Sequence, residues 1–327
     1  MAGFRKFFLF LLYHIKISRY YDDMPMDEFE DGKIRIALFQ WLNEHSALND
    51  GIFTRDELAH GFYYNGRNIT LVGPTGIWRP MGFTIPISIA TTSSGPYDDG
   101  FTSEGFLTYK YRGTDPNHPD NKGLREACRR RTPLVYFHSI KPGKYVAVYP
   151  IFIMGDDPAN LEVKAAIDPS YDTIPAADFA RQPIDGESAM GIRRYAMRLT
   201  KMRLHQSAFR EFVLDAYSGQ CAICRLQHRE LLDAAHIIPD NEEEGDPIIA
   251  NGLSLCKIHH AAFDSNFIGI TPDYTIKVRK DLLDEIDGPM LEFGLKRLED
   301  TKIILPVSKK DYPDPERLER RFAQFAG

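Results

Sequence analysis

Cysteine is scarce. The chain of 327 residues holds four, and three of them fall between Cys221 and Cys256. The one left over, Cys128, cannot build a disulfide framework, so the chain suits a reducing cytosol, and Cys128 reads as a small, partly buried hydrophobe. Net positive charge is also missing: the formal charge is -6, from 40 Lys and Arg against 46 Asp and Glu. That excludes a protein coated in positive charge but leaves room for a local basic face. No apolar run reaches spanning length. Phe7 to Ile15, behind Arg5 and Lys6, is too short for a bilayer and lacks the small-residue cleavage site of a signal peptide. Met24 and Met26 stand just before the first convincing helix, so residues 1–23 read as a frayed extension or as sequence upstream of the true start, with a membrane anchor the lesser reading. No membrane partner is expected. Internal repeats and low-complexity tracts are absent too.

What remains is an ordinary globular composition, 43% hydrophobic and 26% charged, on a chain long enough for two domains. Ile34, Leu38, Trp41, Leu42 and His45 recur at helical spacing. Thr54-Arg-Asp-Glu57 forms a capping box opening a short helix that stops near Gly61. From Ile69 to Ile153 the pattern turns to β. Runs at 84–90, 105–111, 134–138 and 145–153 are rich in aromatic and β-branched residues, with Gly and Pro between them and one helical stretch near Leu124. An α+β domain around a curved sheet or barrel follows. Residues 155–192, with Pro169, Pro175 and Pro183, contain the expected linker. A helix over 207–217 then presents Phe209, Phe212, Val213 and Ala216 on one side and ends at Gly219. Asp314-Pro315 opens a last helix carrying Leu318, Phe322 and Phe325, expected to pack on its own domain, with dimerisation as the other possibility.

The most specific pattern is nested. Cys221-Ala-Ile-Cys224 and Cys256-Lys-Ile-His259 are two short-spaced ligand pairs of the kind that closes a tetrahedral zinc site. Inside and beside them stand His236, Asn251 and His260. On a helix, His259 and His260 point about 100° apart, so one faces the zinc while the other faces a separate site.

Asp233-Ala-Ala-His236-Ile-Ile-Pro followed by Asn251-Gly-Leu-Ser-Leu-Cys256-Lys-Ile-His259-His260-Ala-Ala-Phe-Asp264 resembles an HNH endonuclease of the ββα-metal class, over about residues 205–280. The resemblance implies a hairpin carrying His236 and a helix carrying His260 around one divalent ion. His236 would be the general base, Asn251 would hold the hairpin loop and orient the His236 ring, and His260 would ligate Mg2+, or Mn2+ or Ni2+. Many members of the class place Asp or His immediately before the base; here that position is Ala235. Asp233 and Asp264 are the candidate second ligands. Asp264 lies one turn beyond His260, whereas Asp233 needs a bulge to reach the face of His236.

The first half resembles, more loosely, an SRA (PUA-like) domain over about residues 74–155, through Ser94-Gly-Pro-Tyr97-Asp-Asp-Gly100, Gly105-Phe-Leu-Thr-Tyr109-Lys-Tyr111-Arg-Gly113, Asp120-Asn-Lys-Gly-Leu124-Arg125 and Thr132-Pro-Leu-Val135. Such domains flip a modified cytosine out of the duplex. The resemblance implies Tyr97 and Tyr109 as stacking rings and Asp98 or Asp99 as reader of the base edge; ordinary strand aromatics and a turn are the bland alternative. Arg112, Arg125, Arg129 and Arg130 would meet phosphates. So would Arg193 and Arg194, which open a run with six Lys/Arg against one acid between Glu187 and Arg210; a solvated helix face is the other reading.

The expected organisation is an extension over 1–25, an SRA-like reader with N-terminal helices over 26–165, linker and basic helix over 166–204, a zinc-stabilised HNH domain over 205–280, and a C-terminal extension over 281–327. The expected function is cleavage of double-stranded DNA carrying 5-methyl- or 5-hydroxymethylcytosine, with structural zinc and a catalytic divalent ion. Cutting both strands with one HNH site takes two protomers, as in a homodimer, or two encounters. Host defence against modified phage DNA is what the resemblance implies. The rivals are an HNH nuclease indifferent to cytosine modification and a modified-DNA binding protein whose zinc core is only a scaffold.

Overall fold

The computed structural model describes residues 28–48, 51–91, 100–167, 189–286 and 288–326. The chain divides into two compact units, Met1–Leu204 and His205–Gly327. The expectations for residues 1–23 and for Tyr97, Asp98 and Asp99 lie outside the described residues.

The first unit opens with α1 (Glu28–Leu48), whose four-residue recurrence of Ile34, Leu38 and Leu42 buries all three on one side. After β1 (Ile52–Thr54) comes α2 (Arg55–His60). Here the Thr54 hydroxyl accepts from the Glu57 amide at 3.2 Å and the Glu57 carboxylate accepts from the Thr54 amide at 2.7 Å, which is the expected capping box. Gly61 ends the helix at φ 68°, in the left-handed half of backbone space that favours glycine. A hairpin of β2 (Phe62–Tyr64) and β3 (Arg67–Ile69) follows, then β4 (Ile77–Trp78), β5 (Ser88–Ala90), β6 (Leu107–Lys110), α3 (Pro119–Arg130), β7 (Leu134–Lys141), β8 (Lys144–Asp157) and β9 (Glu162–Ile167). One sheet runs β4-β5-β7-β8-β9-β6, with β1 paired to the start of β8. Among the described residues of this sheet, only the β5–β7 pairing is parallel. The register of β8 slips against β7 between Leu134 and Tyr136, and against β9 between Ile153 and Gly155. Such irregularities bend a long strand, and the sheet curls into a half-barrel with α1 on it.

Two features depart from the sequence expectation. β9 is a strand at the end of the expected reader, in the mixed stretch 155–192 where none was read, and two of its six residues are alanines, which carry little β signal. The basic stretch and the 207–217 helix are parts of one helix, α4 (Ala189–Ala216). Within the first unit its Ala196, Met197 and Leu204 are buried, Arg193 lies 4.9 Å over the Phe106 ring and Lys201 lies 5.2 Å over Phe101. Part of the basic run is therefore packed rather than solvated.

In the second unit, Phe209, Val213 and Leu214 of α4, with Tyr217 just past its end, form the floor under a hairpin of β10 (Leu232–His236) and β11 (Gly252–Cys256). Then come α5 (Lys257–Asp264), β12 (Ile268–Ile270), β13 (Ile276–Val278), α6 (Lys280–Asp284), α7 (Pro289–Gly294) and α8 (Pro315–Ala326). The last helix packs on its own domain. Leu318 is fully buried, and Gly269 of β12 leaves the space that Phe322 and Phe325 approach. Among the described residues no helix is long and apolar enough to cross a membrane.

Candidate active site and zinc centre

Cys221 and Cys224 lie on the turn after α4, Cys256 ends β11, and His259 sits in the first turn of α5. Their ligand atoms all lie within 4.8 Å of one another. Cys256 Sγ and His259 Nδ1 are 3.2 Å apart, Cys221 Sγ and His259 Nδ1 3.5 Å, and Cys224 Sγ and Cys256 Sγ 3.9 Å. A zinc tetrahedron with thiolate and imidazole bonds of ordinary length has edges of roughly 3.6–3.8 Å, so the four residues fit the ion with small adjustments. His259 Nε2 is 2.9 Å from the Gly294 carbonyl, which can only accept. The proton is thereby fixed on Nε2 and Nδ1 is left free to ligate.

One residue further on, the geometry reverses, as expected from the turn of a helix. His260 faces away from the cysteines, with Nδ1 3.2 Å from Asp233 Oδ2 and Nε2 3.2 Å from Asp264 Oδ2. Hydrogen bonds to Asp233 first and Asp264 second raise its pKa to about 9. Burial alone would raise the Asp233 carboxyl, but the bonds from His260 and from Lys257 Nζ at 2.5 Å outweigh it and hold the carboxyl at about 2.

His236 ends β10, opposite Gly252. Its ring stacks on Phe209 at 4.1 Å and 20°, and its Nε2 is buried without a hydrogen-bond partner. Burial lowers its pKa, with Asp240 and Asp264 pulling the other way. Asn251 is fully buried and clamps the chain just past His236. Its Oδ1 accepts from the Ile238 amide at 2.9 Å, while its Nδ2 donates to the Ile238 carbonyl at 2.9 Å and the Asp246 carbonyl at 3.1 Å. The Asn251 carbonyl also accepts from the Ile237 amide. Asn251 thus holds the loop by its backbone, and the stacking support for the His236 ring comes from Phe209.

A cavity of about 510 Å³ gathers these groups; it is lined by His236, Pro239, Asp240, His260, Asp264, Asn266, Arg321 and Gln324. Asp233 does not line it. The β10–β11 register is regular, without the bulge that would turn Asp233 toward His236, and its carboxylate meets His260 at Nδ1, on the far side of the ring from Asp264. A divalent ion placed at the cavity would find His260 Nε2 and the Asp264 carboxylate as donors, with Asp233 fixing the ring from behind. Asp240, Arg321 and Gln324 escaped the sequence reading, since a loop acid and two residues of a terminal helix carry no motif.

In the first unit, Tyr109 lies on β6 and its hydroxyl donates to the Ala90 carbonyl at 2.9 Å, burial pushing its pKa up. Of the expected phosphate contacts, Arg112 pairs with Asp120 at 2.7 Å, and Arg129 and Arg130 both pair with Glu126. Arg125 donates to the Pro116 carbonyl at 2.7 Å and to the Tyr111 hydroxyl at 3.1 Å. Arg194 is exposed.

Among known proteins, no curated sequence matches the chain. Solved structures with some likeness include the modification-dependent TagI restriction endonuclease, at 15% identity and a TM-score of 0.29 over 84% of this chain and 95% of that one. The SRA domain of SUVH5 in complex with methylated CHH DNA has 16% identity and a TM-score of 0.23 over 36% and 93%. The type IV phosphorothioation-dependent restriction endonuclease ScoMcrA has 18% identity and a TM-score of 0.21 over 58% and 50%. Residues 221–271 match the family model described as HNH endonuclease, the same residues that hold the cysteine cluster, His236, Asn251 and His260. The second unit thus carries an HNH endonuclease domain.

Proposed function

We propose that the chain is a DNA endonuclease whose second unit hydrolyses phosphodiester bonds and whose first unit selects DNA bearing modified cytosine. The observation that carries the nuclease reading is convergence. His236 from a strand end and His260 and Asp264 from a helix line one cavity, and the zinc cluster holds strand and helix together behind it. His236, kept neutral by burial, takes a proton from the attacking water. Asn251 fixes the backbone that aims it, and Asp233 fixes His260. A divalent ion held by His260 and Asp264 would stabilise the charge that builds on the phosphate and the leaving oxygen. Breakage of the 3′-oxygen bond leaves 5′-phosphate and 3′-hydroxyl ends. Two protomers, or two encounters, are needed to cut both strands.

The reader assignment is supported by the half-barrel sheet and by Tyr109, whose hydroxyl is bonded to Ala90, one residue before the described stretch ends at 91. An aromatic face there would restore the stacking a flipped base loses. The test is cleavage of one plasmid prepared unmodified, with 5-methylcytosine and with 5-hydroxymethylcytosine, in Mg2+, Mn2+ or Ni2+. Cutting confined to modified DNA is expected, abolished by His236→Ala and made indiscriminate by Tyr109→Ala. Equal cutting of all three plasmids keeps the nuclease and discards the reader. Binding to modified DNA without cutting in any metal would leave the zinc core a scaffold.

A further inference from the structure

The cavity that holds His236 and His260 is completed by a residue far outside the HNH segment. We propose that Arg321, on the C-terminal helix α8, grips a non-bridging oxygen of the scissile phosphate. This rests on the nuclease reading of the same cavity and adds to it a substrate-contacting cation.

The cavity offers a place for one. Its lining holds the carboxylates of Asp240 and Asp264, which a divalent ion at Asp264 would offset, leaving little net positive charge for an incoming phosphodiester. The histidines His236 and His260 must be neutral to serve as base and as ligand. Arg321 is the one lining residue that stays positive throughout, because a guanidinium does not deprotonate at working pH.

Its setting is that of a held charge that feels the Asp264 and Glu242 carboxylates without closing an ion pair with either. The half-buried guanidinium lies 4.9 Å over the Phe263 ring. It donates to the Phe263 carbonyl at 2.7 Å, the Asp264 carbonyl at 3.3 Å and Gln324 Oε1 at 2.8 Å, all neutral acceptors. Its neighbour Arg320 is different, pairing with Glu242 at 2.9 Å and Glu244 at 3.5 Å. Among the described residues no carboxylate stands within ion-pair distance of Arg321. Two of its three acceptors are backbone atoms of α5, so the guanidinium is located relative to Asp264 and, one turn back, His260. A planar fork in that position can donate edge-on to a phosphate oxygen, and its field acts in a partly desolvated pocket where it is strong. The plainer role is a cap, since those carbonyls belong to the last turn of α5 and need donors.

The two roles separate in one experiment on the full chain. Wild type, His236→Ala, Arg321→Gln and Arg321→Lys are compared for cutting of a 5-methylcytosine plasmid in Mn2+, with zinc content and thermal melts measured alongside. Gln keeps a donor for the Phe263 carbonyl but loses the charge. Arg321→Gln is expected to cut about 10²–10³-fold more slowly per folded molecule at saturating DNA. Its DNA-binding salt slope should fall by about one, and Arg321→Lys should recover part of the rate. A cutting rate per folded molecule within about threefold of wild type, or a loss that only follows the melting curve, overturns the assignment and leaves Arg321 a cap. If the wild type cuts none of the unmodified, 5-methylcytosine and 5-hydroxymethylcytosine plasmids in Mg2+, Mn2+ or Ni2+, or if His236→Ala still cuts, the nuclease reading falls and this inference falls with it. Wild-type cutting that is lost in His236→Ala but retained in Arg321→Gln refutes Arg321 alone.

Discussion

Asn251→Ala should be among the most damaging single changes near the site, although Asn251 belongs to neither the cavity lining nor the cysteine–histidine cluster. Its side chain makes three hydrogen bonds, all to backbone atoms of the loop after His236, and the residue is fully buried. Alanine removes all three and strands the Ile238 amide and carbonyl. At about 1 kcal/mol per bond, the second unit should lose about 3 kcal/mol, less whatever a water entering the vacated space restores. For a unit of this size that is a fall in melting temperature of about 10 °C. Calorimetry of zinc-loaded protein reads it directly. A companion variant sharpens the test. Asn251→Asp keeps the acceptor for the Ile238 amide but aims a carboxylate at two carbonyl oxygens about 3 Å away. Its folded-state pKa should be raised by that repulsion and by burial. A raised folded pKa means stability is present at low pH and lost as pH rises through it, so Asn251→Asp should melt closer to wild type at about pH 4 than at about pH 8. A melt of Asn251→Ala within about 2 °C of wild type would refute the claim that these bonds hold the loop.

Further outcomes follow from the same geometry. Since His260 sits at about 9 between two carboxylates, a divalent ion at its Nε2 must displace a proton. Apparent affinity for Mn2+, measured by calorimetric titration, should therefore rise about tenfold per pH unit below about 9 and level off above it; a flat profile would remove His260 as ligand. In the metal-free protein the same raised pKa gives an ion-pair contribution that is fully present below the ordinary histidine pKa of about 6.5 and lost as pH climbs through about 9. Gly252→Ala puts a methyl against Val213 and 3.0 Å from Phe209 Cζ, directly beneath the stacked His236 ring. It should cost about 1–3 kcal/mol and reduce cutting more than a comparable loss elsewhere; full activity per folded molecule would show that Phe209 does not aim the base. Cys224→Ser should lower zinc content and melting temperature together, because binding energy at such a cluster is folding energy; an unchanged melt on chelation would exclude a structural role for the ion.

How much of this was legible in the residues depends on how local the cause was. The four residues that could hold a metal ion come as two short-spaced pairs, so spacing alone brought them to notice, and a capping box is written in four consecutive residues. The separation of His259 from His260 followed from the pitch of a helix. Tertiary causes were not legible. β9 was passed over because Glu162–Ile167 forms a strand only through its neighbours, β8 and β6. Phe209 showed as an apolar residue on the face of a helix, and nothing in that periodicity says that the hairpin sets a histidine on its ring. The uncertainty over Asp233 was one of face: a regular β10 points it away from His236, yet the helix α5 crosses on that same side and brings His260 to it. In the reading proposed above, the acid missing at Ala235 would be replaced by two residues, Asp264 at the cavity and Asp233 behind the ring. Arg321 is the extreme case. It lies 50 residues past the matched segment, and only the packing of α8 on β12 brings it over Phe263. A motif records the part of a site built from contiguous chain. The remainder depends on which helix the domain happens to fold back over its cavity, so truncating the chain after the motif would remove the cation while leaving every recognisable ligand in place.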